Sequence, residues 1–197
     1  MHGKYFPFIY CSEMSFDVSD FLFYDKFTAF STSRGIFSGT FLFFTEVILM
    51  PDQKEYYMRR ALPLAARGAG HVDPNPMVGC VIVKDGRIIA EGWHEHIGGL
   101  HAERNAFAHC TEDAAGADLY VTLEPCCHWG RTPPCTDAVI EHRIRRVFVG
   151  CLDPNPLVAG KGAQILRDAG IEVETGVCEA ECREINEVFF HYITHKT

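Results

Sequence analysis

The chain has 197 residues, of which 47% are hydrophobic, 22% charged and 12% aromatic, enough apolar material to close a core around one globular catalytic domain. The 18 Lys and Arg stand against 26 Asp and Glu, a formal charge of −8. No global basic surface is left to hold a nucleic-acid backbone by charge, so nucleic acid is not the expected partner. Nine cysteines are an odd number for a disulfide scaffold in a chain with an ordinary core, and they fit reduced thiols or metal ligands in the cytoplasm.

Composition breaks near residue 50. Of 15 Phe, 11 lie in residues 1–50. This stretch lacks a basic n-region leading into a clean apolar run, and Asp17, Asp20 and Asp25 interrupt it, so it does not read as a signal peptide. Its most apolar part, residues 36–50, contains Glu46 and falls short of the roughly 20 apolar residues that span a bilayer. No membrane partner is expected. Residues 1–50 read as an extension, separate from a domain over 51–197.

From residue 52 the elements follow in order. Residues 52–68 carry a helical pattern in which Tyr57, Ala61, Leu64 and Ala65 share a face, and Pro63 should kink it or end it early. Residues 78–83 and 87–92 are β-rich runs around Lys84-Asp85-Gly86, with the Asp-Gly of a two-residue hairpin. The pattern then predicts helix 101–110, strand 117–123, helix 134–142, strand 145–150, helix 162–170, strand 171–176 and one closing helix over 178–193. Strands separated by helices of this length imply a largely parallel sheet covered on both faces.

Two segments carry chemistry. In GGLHAERNAF, His101 is followed two residues later by Glu103 at a helix start, so an imidazole can bind a metal while the carboxylate reaches a metal-bound water. Alone, the pattern is weak and reads first as a plain helix start with Glu in its first turn. The second segment, TLEPCCHWGRTPPCTDAVI, places Cys126 and Cys135 each after a proline, at the two ends of a glycine-bearing loop. Pro133-Pro134 suits the start of a helix, where a thiolate is favoured. One His and two Cys leave the fourth tetrahedral position of zinc open, as a catalytic site requires. Two buried core cysteines are the alternative.

His101-Ala-Glu103, Pro125-Cys126 and the later Cys135 resemble the zinc-dependent cytidine-deaminase superfamily. The long insert CHWGRTPP between the cysteines, together with NPMVG (75–79) and DPNPLVAGKG (153–162), is similar to the deaminase domain of the bifunctional bacterial riboflavin-biosynthesis protein. The resemblance covers residues 52–195. It implies a three-layer α/β/α sandwich with a mixed, largely parallel sheet of about five strands. It also implies a zinc hydrolase acting on a cyclic amidine. That enzyme converts 2,5-diamino-6-(5-phosphoribosylamino)pyrimidin-4(3H)-one to 5-amino-6-(5-phosphoribosylamino)uracil and ammonia, on the way to riboflavin.

By the same resemblance His101, Cys126 and Cys135 hold Zn2+, and Glu103 moves the protons. Asn75, His94 and His128 face the substrate, while Arg131 and the pair Asp153 and Asn155 line its ribose-phosphate side. Lys161, between two glycines at a helix start, is a weaker phosphate candidate, set against a plain loop. His71, His96 and His142 read as surface or packing residues, Cys80, Cys110 and Cys151 as core, Cys178 and Cys182 as packing, and Cys127 as pointing away from the metal.

The family's reductase domain would begin about where FFHYITHKT ends, so either these residues are a deaminase-only fragment or a separate reductase is a partner, and no nicotinamide site is sought in them. Self-association is expected by family resemblance. Met50-Pro-Asp-Gln-Lys-Glu-Tyr-Tyr resembles the family's usual start, which makes Met50 the expected initiator and residues 1–50 translated upstream sequence. Two other functions remain open: another deaminase of the superfamily, acting on a nucleobase or on adenosine in tRNA, and an inactive zinc-bound partner module.

Overall fold

The computed structural model describes residues 52–130, 132–155 and 158–195; the Phe-rich extension and Arg131 lie outside the described residues. Eleven elements follow one another: α1 (Gln53–Ala66), β1 (Gly79–Lys84), β2 (Arg87–Trp93), α2 (Ala102–Ala108), β3 (Asp118–Leu123), α3 (Cys135–Glu141), β4 (Arg146–Cys151), α4 (Lys161–Asp168), β5 (Glu172–Thr175), α5 (Glu179–Glu184) and α6 (Glu187–His195).

The five strands form one sheet in the order β2-β1-β3-β4-β5. β1 pairs antiparallel with both β2 and β3, whereas β3, β4 and β5 pair in parallel. Four strands therefore run one way and β1 alone runs against them. The β1–β2 hairpin closes through Asp85 (φ 50°) and Gly86 (φ 74°), the two left-handed residues that an Asp-Gly turn supplies.

Alternation along each strand feeds two cores. Cys80, Ile82, Leu119, Val121, Val147 and Val149 point to one face, where Ala102, Ala106 and Phe107 of α2, Ala138 and Val139 of α3 and Leu166 of α4 cover them. Val81, Val83, Tyr120 and Phe148 point to the other, under Tyr57, Met58, Ala61 and Leu64 of α1, Cys182 of α5 and Phe190 of α6. Strands covered on both faces read as continuous apolar runs, as VGCVIV does. The result is the expected three-layer α/β/α sandwich.

Two glycines set how closely helices approach the sheet. A Cβ at Gly79 would collide with the Ala61 carbonyl and, at 2.7 Å, the Ala65 nitrogen; one at Gly92 would collide with the Ala106 nitrogen and the Ala102 carbonyl.

Two local expectations need correction. α1 does not end at Pro63 but continues to Ala66, and Leu64 and Ala65 beyond the proline are buried. Packing of that last turn on β1 compensates for the hydrogen bond that the proline removes. The closing helix is not continuous either. It breaks at Ile185-Asn186 into α5 and α6, where the Asn186 N–H takes the tighter bond to the Arg183 carbonyl at 3.0 Å and its side-chain amide bonds the Met77 backbone: Met77 N–H donates to Oδ1 and Nδ2 donates to the Met77 carbonyl, both at 2.8 Å.

Candidate active site

The parallel strands β3 and β4 end side by side, and their C-terminal loops open on a cavity of about 530 Å³, where open α/β sheets commonly bind ligands. His101 caps α2 in extended conformation, and Cys135 opens α3 after Pro134. Cys126 follows β3 by three residues. The sheet and two helix starts thus bring His101, Cys126 and Cys135 together, with their ligand atoms within 4.8 Å of one another. His101 Nδ1 lies 3.4 Å from Cys126 Sγ and 3.5 Å from Cys135 Sγ. The Cys135 N–H donates to Cys126 Sγ at 3.3 Å.

Electrostatics inside this cluster divide the protons unequally. The hydrogen bond from the Cys135 thiol, outweighing burial and joined by His101 and the Cys135 N–H, holds the Cys126 thiol down to about 4. The same hydrogen bond in turn pushes the Cys135 thiol well up, as do burial and the charges of Glu103 and Cys126. A thiolate is the form that ligates metal. One imidazole and two cysteine sulfurs, with no fourth side chain joining the group among the described residues, match the donor set of an open zinc site.

Glu103, in the first turn of α2, is 3% exposed and lines the same cavity. Burial and then the Cys126 charge push its carboxyl up, while His101 pulls it down. His94 is 3% exposed. Its Nδ1 lies 3.0 Å from the Leu100 carbonyl and must donate there, which leaves Nε2 to accept from Asn75 Nδ2 at 3.4 Å. Burial lowers the His94 pKa, consistent with that neutral tautomer. Asn75, His94, His128, Asp153 and Asn155 all line the cavity. Asp153 accepts the Asn155 N–H at 2.8 Å, and burial raises its pKa.

Lys161 begins α4 and is not among the residues lining the cavity. His71 and His96 are exposed, and His142 stacks on Phe107 with ring centroids 3.9 Å apart. Cys80, Cys151 and Cys182 are buried, and among the described residues no second metal-binding group forms.

Sequence reasoning missed Glu124. Its buried carboxylate accepts the N–H groups of Gly160 at 2.8 Å, Ala163 at 3.1 Å and Asp153 at 3.3 Å. It thereby ties the end of β3 to the start of α4 and to the Asp153 loop. An acidic residue in Leu-Glu-Pro at a strand end was the available signal.

Residues 51–151 match the model of the cytidine and deoxycytidylate deaminase zinc-binding region. The chain belongs to this family. Zinc is the family's metal, and the His-Cys-Cys cluster fits it. The riboflavin biosynthesis protein RibD of Actinobacillus pleuropneumoniae is 64% identical over 140 residues, which are 71% of this chain and 37% of that one. A solved RibD structure from Acinetobacter baumannii superposes with a TM-score of 0.71 at 52% identity, covering 73% of this chain and 40% of the other. A Thermotoga maritima structure described as a diaminohydroxyphosphoribosylaminopyrimidine deaminase/5-amino-6-(5-phosphoribosylamino)uracil reductase gives the same TM-score and identity, with 42% of its chain covered. The chain thus spans well under half the length of these relatives. Among the described residues no helix is long and apolar enough to cross a membrane.

Proposed function

We propose that this chain hydrolytically deaminates the diaminopyrimidine ribose phosphate to the corresponding aminouracil, releasing ammonia. The observation that supports this reading is the convergence of His101, Cys126 and Cys135 with buried Glu103 in one cavity, in a chain 64% identical to a RibD protein over that region. His101, Cys126 and Cys135 would hold zinc, which when bound acidifies a water into a nucleophile near neutral pH. Glu103 accepts the proton of the attacking water and returns protons to the ring nitrogen and the departing amine, so that water enters and ammonia leaves. Its burial keeps that proton from exchanging freely with solvent. Asn75 holds the pyrimidine or ribose, His94 and His128 face the substrate beside it, and Arg131, Asp153 and Asn155 line the ribose-phosphate side.

On this reading residues 51–197 form the deaminase domain, 1–50 are upstream sequence, and the enzyme works in the cytoplasm as a homo-oligomer. Its product is the substrate of a uracil reductase, the partner activity. N-terminal sequencing of protein from the native gene tests the start at Met50; a dominant product beginning at Met1 contradicts it. Ammonia release from the diaminopyrimidine ribose phosphate, cytidine, deoxycytidylate, guanine and tRNA tests the activity. Turnover of the first alone is expected, and preferential turnover of another sinks the assignment.

A further inference from the structure

The cavity has two unlike walls. Asn75, His94, His128, Asp153 and Asn155 make one part of the lining polar, whereas Phe189, Tyr192 and Ile193 of α6 make another part largely apolar. These three stand at i, i+3 and i+4, so they share one face of the helix. The stripe beside them is turned into the protein: Asn186 and Phe190 are buried, and the Arg183 guanidinium lies over the Phe190 ring at 4.6 Å.

α6 is also fixed relative to the polar wall. The bidentate bond between the Asn186 amide and the Met77 backbone, 2.8 Å in both directions, joins the start of α6 to the loop that carries Asn75. Asn186 is 3% exposed, so this tether is not open to competition from water. Phe189 packs partly against the core. Tyr192 is different: it is 49% exposed, and among the described residues no hydrogen bond, ion pair or ring stacking occupies it. A half-exposed aromatic side chain, held by a rigid helix at the rim of a cavity and without a partner of its own, offers a flat apolar surface to a flat ligand.

We propose that Tyr192 is a substrate-binding residue that contacts the heterocyclic ring or ribose of the substrate, with Phe189 behind it and Asn186 positioning the helix. The proposal rests on the deaminase reading of the same cavity. Stacking is tolerant of base identity and strong enough to matter; Tyr192 therefore contributes affinity, while the polar wall selects the substituents. It takes no part in moving protons.

Tyr192→Ala and Tyr192→Phe are compared with wild type, each zinc-loaded and matched for zinc content and thermal midpoint. KM and kcat are measured on the diaminopyrimidine ribose phosphate, and equilibrium binding is measured across the substrate panel above. Tyr192→Ala should raise KM about tenfold with kcat within about twofold, and Tyr192→Phe should keep the wild-type KM. An unchanged KM and affinity in Tyr192→Ala, with wild type active, overturns the inference and leaves the deaminase reading standing. Turnover of a different base, with its KM raised by Tyr192→Ala, overturns the substrate assignment and supports the wall. Failure of wild type to bind any of the panel overturns both.

Discussion

Glu124→Ala removes a buried carboxylate that three backbone N–H groups share, those of Gly160, Ala163 and Asp153. Each bond to a charged acceptor is worth about 1.5–3 kcal/mol when made. The loss is not simply their sum, because the cavity beside Glu124 admits water to part of the gap. A cost of about 3–5 kcal/mol follows, the range for breaking a buried charged interaction by removing one partner. At roughly 2–4 °C per kcal/mol for a chain of this size, the thermal midpoint should fall by about 10 °C. Glu124→Gln keeps the shape and one acceptor oxygen but turns an NH2 toward a backbone donor, so it should lose about half as much. Differential scanning calorimetry at neutral pH reads both variants, with urea melts as the isothermal check. A Glu124→Ala midpoint within about 2 °C of wild type would refute the view that this carboxylate holds α4 and the Asp153 loop to the end of β3.

At the opposite end of the sheet, Asp118 is 7% exposed. Burial would push its carboxyl up, but hydrogen bonds and charge from Arg146 and Arg145 outweigh that and hold it below the ordinary carboxylate range. A depressed folded-state pKa means stability that is fully present above the unfolded value of about 3.9 and lost as pH falls through the folded one. The stability gap between wild type and Asp118→Asn, read from urea melts at several pH values, should be widest near neutrality and shrink below about pH 4; a gap independent of pH contradicts this. Gly79→Ala should destabilise the fold by at least about 1–3 kcal/mol, since the new Cβ strikes the α1 backbone rather than a movable side chain. An unchanged denaturation midpoint would show that α1 is free to back away.

Much of the fold is legible in the sequence because its signals are local. Asp85-Gly86 marks the hairpin, the spacing of Tyr57, Ala61, Leu64 and Ala65 marks the buried side of α1, and the unbroken apolar run at Val78–Val83 marks a strand covered on both faces. The metal cluster is legible for the same reason, since each ligand sits in a short motif that fixes its own helix start. What stayed hidden depends on distant partners. Nothing near Glu124 shows that its acceptors will be claimed by N–H groups from residues 153–163. Asn186 lies within a plausible helical stretch, and the partner of its side-chain amide, the Met77 backbone, stands more than a hundred residues earlier. Periodicity cannot tell that β1 alone runs against its neighbours, nor that an end-of-chain helix lines the cavity.

The central claim is that one zinc site, served by one buried carboxylate, releases ammonia from the diaminopyrimidine ribose phosphate. The most direct measurement is ammonia release by wild type and Glu103→Gln, each assayed at the same bound zinc content. Wild type should yield ammonia and aminouracil in equal amounts with one zinc per chain, while Glu103→Gln should keep its zinc and lose at least about a hundredfold in rate. Equal rates in the two proteins, or full activity in zinc-free wild type, would contradict the account.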